Sequence, residues 1–116
     1  MLCFGGRDYR DAAVVDRALA QLAAAQTFMQ FAIVQGGARG ADALCKTWGL
    51  KHGHPVLTLD APWDAYGKKA GSLRNSWMLE LCTPTYAVGF PGGPGSADMA
   101  RQLRATGVPI WFPAGS

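Results

Sequence analysis

Five short apolar runs constrain this chain more than any other feature. They are "MLCF" (Met1 to Phe4), "FAIV" (Phe31 to Val34), "PVLTL" (Pro55 to Leu59), "TYAVGF" (Thr85 to Phe90) and "VPIWF" (Val108 to Phe112). None alternates strictly between polar and apolar residues, so each reads as a strand buried on both faces, the habit of parallel sheets. The segments between them carry helix formers with apolar residues at helical spacing. These run from about Asp11 to Ala25 (Val15, Leu19, Leu22), Ala41 to about His52 (Leu44, Cys45, Trp48), Leu73 to about Leu81 (Trp77, Met78) and Ser96 to Ala105. Strand and helix alternate throughout, which predicts an α/β fold with a five-stranded, mostly parallel sheet and helices on both faces. With 116 residues, 49% of them hydrophobic, and no linker, residues 1–116 read as a single domain with one core region.

Three of the expected strands end in glycine-rich stretches: Gly5-Gly6-Arg7-Asp8, Gly36-Gly37-Ala38-Arg39-Gly40 and Gly92-Gly93-Pro94-Gly95-Ser96. In an open α/β sheet all three lie at the carboxyl edge, where ligands bind at the point of strand-order reversal. Helix N-termini there offer unpaired N–H groups and a positive dipole end, and glycine lets an anion approach the backbone. The spacings are GGxxG and GGxG, not GxGxxG, and no Lys-Ser/Thr follows, so neither a standard dinucleotide site nor a Mg-ATP loop is expected. Arg7, Arg39 and Arg74 sit in or beside this edge and suit phosphate or carboxylate. Arg74, followed by Asn75, is the one expected to face ligand. Ser96 reads as a helix N-cap whose hydroxyl also meets phosphate. Asp42 and Asp98 fall in first helical turns, where they cap or, if they touch ligand, meet a sugar hydroxyl rather than a phosphate. Trp63 and Tyr66 either stack on a base or pack.

A net charge of +3 suits an anionic partner, but the Lys and Arg residues are scattered, which argues against a nucleic-acid interface. Cys3, Cys45 and Cys82 are odd in number, far apart and without zinc spacing. They predict reduced thiols, a cytoplasmic protein and no metal. "HGH" (His52 to His54) is expected to end a helix, with Gly53 stopping it. A charged leader and a long apolar run are both missing, so neither a signal peptide nor a membrane span is expected.

Four pieces, "GGRDY", "VQGGARGADALCKTWG", "GKKAGSLRNSWML" and "FPGGPGSADM", resemble in order the SLOG superfamily, and within it the small YspA-like, cpYpsA-related group of Rossmann-like proteins. The resemblance implies strand order 3-2-1-4-5 and a site for a nucleotide or nucleotide-derived ligand. That site would be built from Gly5, Gly6, Arg7, Gly36, Gly37, Ala38, Arg39, Gly40, Asp42, Arg74, Asn75, Pro91, Gly92, Gly93, Gly95 and Ser96. It implies a ligand sensor of the kind found in nucleotide-linked signalling and phage-conflict systems, with no resident cofactor. Relatives of this kind often dimerise, so a homo-oligomer is left open. The related LOG phosphoribohydrolases carry PGGxGTxxE. Here Pro91 to Ser96 follow that pattern with Ser for Thr, Arg74 matches a functional Arg, and Met99 stands at the catalytic Glu position. Methionine cannot act as acid or base, so no catalytic residue is assigned and hydrolysis of nucleoside monophosphates is the alternative. "APW" (Ala61 to Trp63) lacks the acidic residue usual before the Trp. DprA-like single-stranded DNA binding is a further alternative, disfavoured by the short chain and the scattered charge.

Overall fold

The computed structural model describes residues 1–25, 31–61 and 66–113. Five strands, β1 (Leu2–Phe4), β2 (Ile33–Gln35), β3 (Val56–Thr58), β4 (Ala87–Gly89) and β5 (Ile110–Trp111), form one sheet of order β3-β2-β1-β4-β5. Every neighbouring pair is parallel, with Leu2 opposite both Val34 and Ala87. The helices are α1 (Ala12–Ala25), α2 (Ala41–Lys51), α3 (Ala70–Cys82) and α4 (Pro94–Ala105), with a 3₁₀ turn, Gly67–Lys69, leading into α3. The chain steps outward from β1 to β3, then returns to β4 on the other side of β1. The order therefore reverses between β1 and β4, and their carboxyl ends flank the crevice.

Strand alternation divides the core in two. Cys3, Ile33 and Val88 point to one face and pack with Val15 and Leu19 of α1 and Cys45 and Trp48 of α2. Leu2, Phe4, Val34 and Ala87 point to the other and pack with Met78 of α3 and Met99, Ala100 and Leu103 of α4. In the three central strands, β1, β2 and β4, every residue is thus buried whichever way it points, which is why their apolar runs are continuous, while the edge strands β3 and β5 are only partly covered. Among the described residues no helix is long and apolar enough to cross a membrane.

Two helices begin earlier than expected. α3 starts at Ala70 rather than Leu73, and α4 at Pro94 rather than Ser96. Proline suits the first helical position, where its missing N–H has no intrahelical partner to lose. Ser96 therefore lies inside the first turn of α4, and the N-cap is Gly93, with no side-chain cap. α2 ends as expected: His52 is its C-cap and Gly53 takes φ +76°. Cys3 and Cys45 are buried, Cys82 half-buried, and all three are free thiols.

Candidate functional site

The carboxyl ends of β1 and β4 open into a cleft of about 550 Å³, within the ordinary range for small-molecule sites. Its floor is apolar, formed by Cys3, Phe4, Met78 and Met99. The β1–α1 loop contributes Gly5, Gly6, Arg7 and Asp8, and the β2–α2 segment Gly36, Ala38 and Asp42. Helix α3 adds Gly71, Ser72, Arg74 and Asn75, and the start of α4 adds Gly93, Pro94, Gly95, Ser96 and Asp98. Of the expected residues, Gly37, Arg39, Gly40, Pro91 and Gly92 lie outside the lining. Tyr66 does too; it is 51% exposed and meets the edge of Trp77. Trp63 falls outside the described residues. Gly71 and Ser72 join the lining without having been singled out, and Met78, expected only as an apolar position of its helix, joins them.

The glycines separate into two kinds. Gly5 is bare because a β-carbon would come within 2.6 Å of the Ala41 β-carbon and 2.9 Å of that of Phe90. At Gly6 it would lie 2.8 Å from both Gly92 Cα and the Pro91 carbonyl, and that carbonyl accepts the Gly6 N–H at 2.9 Å. Pro91 and Gly92 thereby clamp the β1 loop to the β4 loop from behind the cleft. A β-carbon on Gly92 would strike Ser96 and Gly6, and one on Gly40, at φ +80°, would strike the carbonyls of Gly6 and Arg7. At Gly36 it would overlap the Arg74 guanidinium. Gly93 and Gly95 differ: a β-carbon on either meets no atom within 4 Å. Their bareness faces open space at the cleft's edge.

The loop after β2 holds an anion of its own. Asp42 Oδ2 accepts the N–H groups of Gly36 and Ala38, each at 3.2 Å, and Gln35 Oε1 accepts that of Gly37 at 2.6 Å. Asp42 thus caps the preceding loop rather than its own helix. Burial pushes its carboxyl above the ordinary value, opposed by the Ala38 and Gly36 N–H groups and the nearby Arg74 and Arg7 cations. An incoming phosphate finds these N–H groups taken. Gln35, fully buried and also hydrogen-bonded to Thr58, was not anticipated; the signal was a polar residue closing an apolar run.

Arg74 ties α3 to the carboxyl ends of β2 and β3. Its Nη1 donates to the Gly36 carbonyl at 2.6 Å and to the Leu59 carbonyl at 3.4 Å, and its Nε to Asn75 Oδ1 at 3.0 Å. Burial lowers its pKa, against the raising influence of Asp42. Asn75, 3% exposed, passes the connection on, donating to the Gly95 carbonyl at 3.3 Å and to Asp98 Oδ2 at 3.0 Å. Arg39 reaches Asp8 instead of the cleft, in an exposed ion pair at 3.1 Å. Met99, at the position where LOG proteins keep Glu, is 2% exposed and built into the core.

Fold and cleft together define a Rossmann-like α/β domain with its candidate site at the switch between β1 and β4. More narrowly, the chain belongs to the YspA, cpYpsA-related SLOG family, whose model matches residues 2–66. It is 32% identical over 117 residues to the Gene 61 protein of Mycobacterium phage D29, covering 95% of this chain and 92% of that protein. No solved structure matches. Family membership supports a nucleotide-related ligand-binding or ligand-modifying role.

Proposed function

We propose that the cleft binds a nucleotide-derived ligand, with a phosphate seated on the first turn of α4, and that the protein acts as a binding module. One observation carries this reading: Gly93 and Gly95 are bare without any internal neighbour that demands it, at a helix start that no side chain caps. The first-turn N–H groups of Gly95 and Ser96 have no carbonyl four residues back to bond. They point an uncompensated positive end outward, and an anion there gains about 0.3–1 kcal/mol from the dipole alone. Arg7, in the β1–α1 loop, adds positive charge to the lining of the same cleft. The hydrolase reading loses support from Met99, because an apolar side chain of the cleft floor, and no carboxylate, stands at that position.

The test is thermal unfolding with a panel of nucleoside mono- and diphosphates, cyclic nucleotides and ADP-ribose. A ligand at about 100 times its Kd stabilises a fold by about 2.7 kcal/mol, equivalent to roughly 10 °C in Tm for a domain of this size. A panel that gives no shift overturns the proposal.

A further inference from the structure

We infer that Asp98 reads the sugar of the bound ligand, accepting a hydroxyl of a ribose, so that the cleft selects ribonucleotides with free sugar hydroxyls over deoxyribonucleotides. This rests on the proposed seating of a phosphate at the start of α4.

Asp98 lines the same cleft, three residues along α4 from Gly95. Residues at that spacing share a helix face about 4.5 Å apart along the axis, roughly the breadth of one sugar ring. The separation is held from within. A single side-chain nitrogen, Asn75 Nδ2, donates both to the Gly95 carbonyl at 3.3 Å and to Asp98 Oδ2 at 3.0 Å. Gln102 Nε2 fixes the same Oδ2 at 2.8 Å.

The other oxygen, Oδ1, pairs with Arg101 and takes a bond from the Ser72 hydroxyl at 3.3 Å, the longest the carboxylate accepts. Ser72 and Asp98 both line the cleft, so a ligand hydroxyl competes with that weak bond for Oδ1. Burial tends to raise the carboxyl's pKa, but the hydrogen bonds from Asn75, Gln102 and Arg101 outweigh it and hold it below the ordinary value. An ionised carboxylate only accepts hydrogen bonds and repels a second phosphate. Hydroxyls fit it; a 2′- or 3′-phosphate does not.

Calorimetric titration of the wild-type protein with the four ribonucleoside 5′-monophosphates and their 2′-deoxy counterparts decides the matter. The ribonucleotide that binds is expected to bind roughly tenfold or more tightly than its deoxy form, the worth of a charge-assisted hydrogen bond. Its 2′,5′-bisphosphate is expected to bind more weakly still. Asp98→Asn keeps the shape and should bring the ribo and deoxy affinities within about threefold, removing most of that bond's contribution. Equal binding of ribo and deoxy forms by the wild type, or full discrimination retained in Asp98→Asn, overturns the role of Asp98 and leaves nucleotide binding intact. Binding of neither form overturns the role of Asp98, and a thermal panel that also gives no shift overturns nucleotide binding with it.

Discussion

Arg74 donates from Nη1 to the carbonyl of Gly36 at 2.6 Å, through the space that a β-carbon on residue 36 would fill. The two residues lie 38 positions apart, and each explains the other. Glycine is needed at 36 to admit the guanidinium, and the guanidinium ties α3 to the ends of β2 and β3. Arg74, expected from the sequence to face ligand, is therefore also a structural residue. Arg74→Ala leaves two carbonyls without this donor and should cost about 1–3 kcal/mol. Gly36→Ala expels the same side chain and should cost a similar amount. The double variant should lose little more than the worse single one, because both remove one interaction. Urea denaturation of the three variants checks this; losses that simply add would show two independent effects.

Asp42 gives the fold a pH dependence of defined sign. Its carboxyl is raised above the ordinary 3.8, chiefly by burial. Between the ordinary and the raised value the folded state binds more protons than the unfolded chain, so this group's contribution to stability falls as pH rises through that window. Both N–H groups from Gly36 and Ala38 reach the same oxygen, Oδ2, so the amide oxygen of an Asn can accept them both. Asp42→Asn should therefore gain stability relative to wild type as pH rises from the ordinary 3.8 through the raised value. Asp42→Ala should cost about 1–3 kcal/mol for the N–H groups it strands. Asp98 works in the opposite sense: its lowered carboxyl contributes stability above 3.8 that is lost as pH falls through the lowered value. Denaturation midpoints across pH separate the two. An Asp42→Asn curve parallel to wild type would remove Asp42 from the account.

Much of the fold was legible because burial on both sheet faces writes itself into continuous apolar runs such as "MLCF", where Leu2 and Cys3 serve opposite cores. The strand order came from the family resemblance, since periodicity is silent on order. The early start of α4 was missed because Gly-Pro-Gly reads as loop, although proline at the first helical position is compatible with helix. The glycines mark the true limit. Composition shows that Gly36, Gly92 and Gly95 are all bare, but only long-range contacts separate Gly36, emptied for Arg74, from Gly95, which faces open space. Gln35 and the partners of Asn75 were hidden for the same reason, lying far apart in sequence.

Met99 leads to a prediction about chemistry. It packs with Leu2, Phe4 and Leu103 and presents no acid or base to the cleft. Incubation with nucleoside 5′-monophosphates should release no free base above the blank. Turnover near about 1 per second, within the usual enzyme range, would restore the hydrolase reading and direct attention to Asp98 as its carboxylate.

Gly92 and Gly95 separate architecture from binding within one loop. A β-carbon on Gly92 would lie 2.6 Å from the Gly6 nitrogen and 2.7 Å from the Ser96 β-carbon. The backbone atom cannot give way cheaply, so Gly92→Ala should destabilise by about 1–3 kcal/mol through overpacking. Gly95 sits in the first turn of α4 with no atom within 4 Å of an added β-carbon. Gly95→Ala should leave Tm unchanged or raise it slightly, since alanine favours helix over glycine by up to about 1 kcal/mol. If the α4 N–H groups receive a phosphate, a methyl at Gly95 crowds its seat, and affinity for the nucleotide found in the thermal panel should fall roughly tenfold, about 1.4 kcal/mol. Thermal unfolding with calorimetric titration on both variants resolves the two roles. A stable Gly95→Ala protein that binds its nucleotide as tightly as wild type would move the phosphate away from the start of α4.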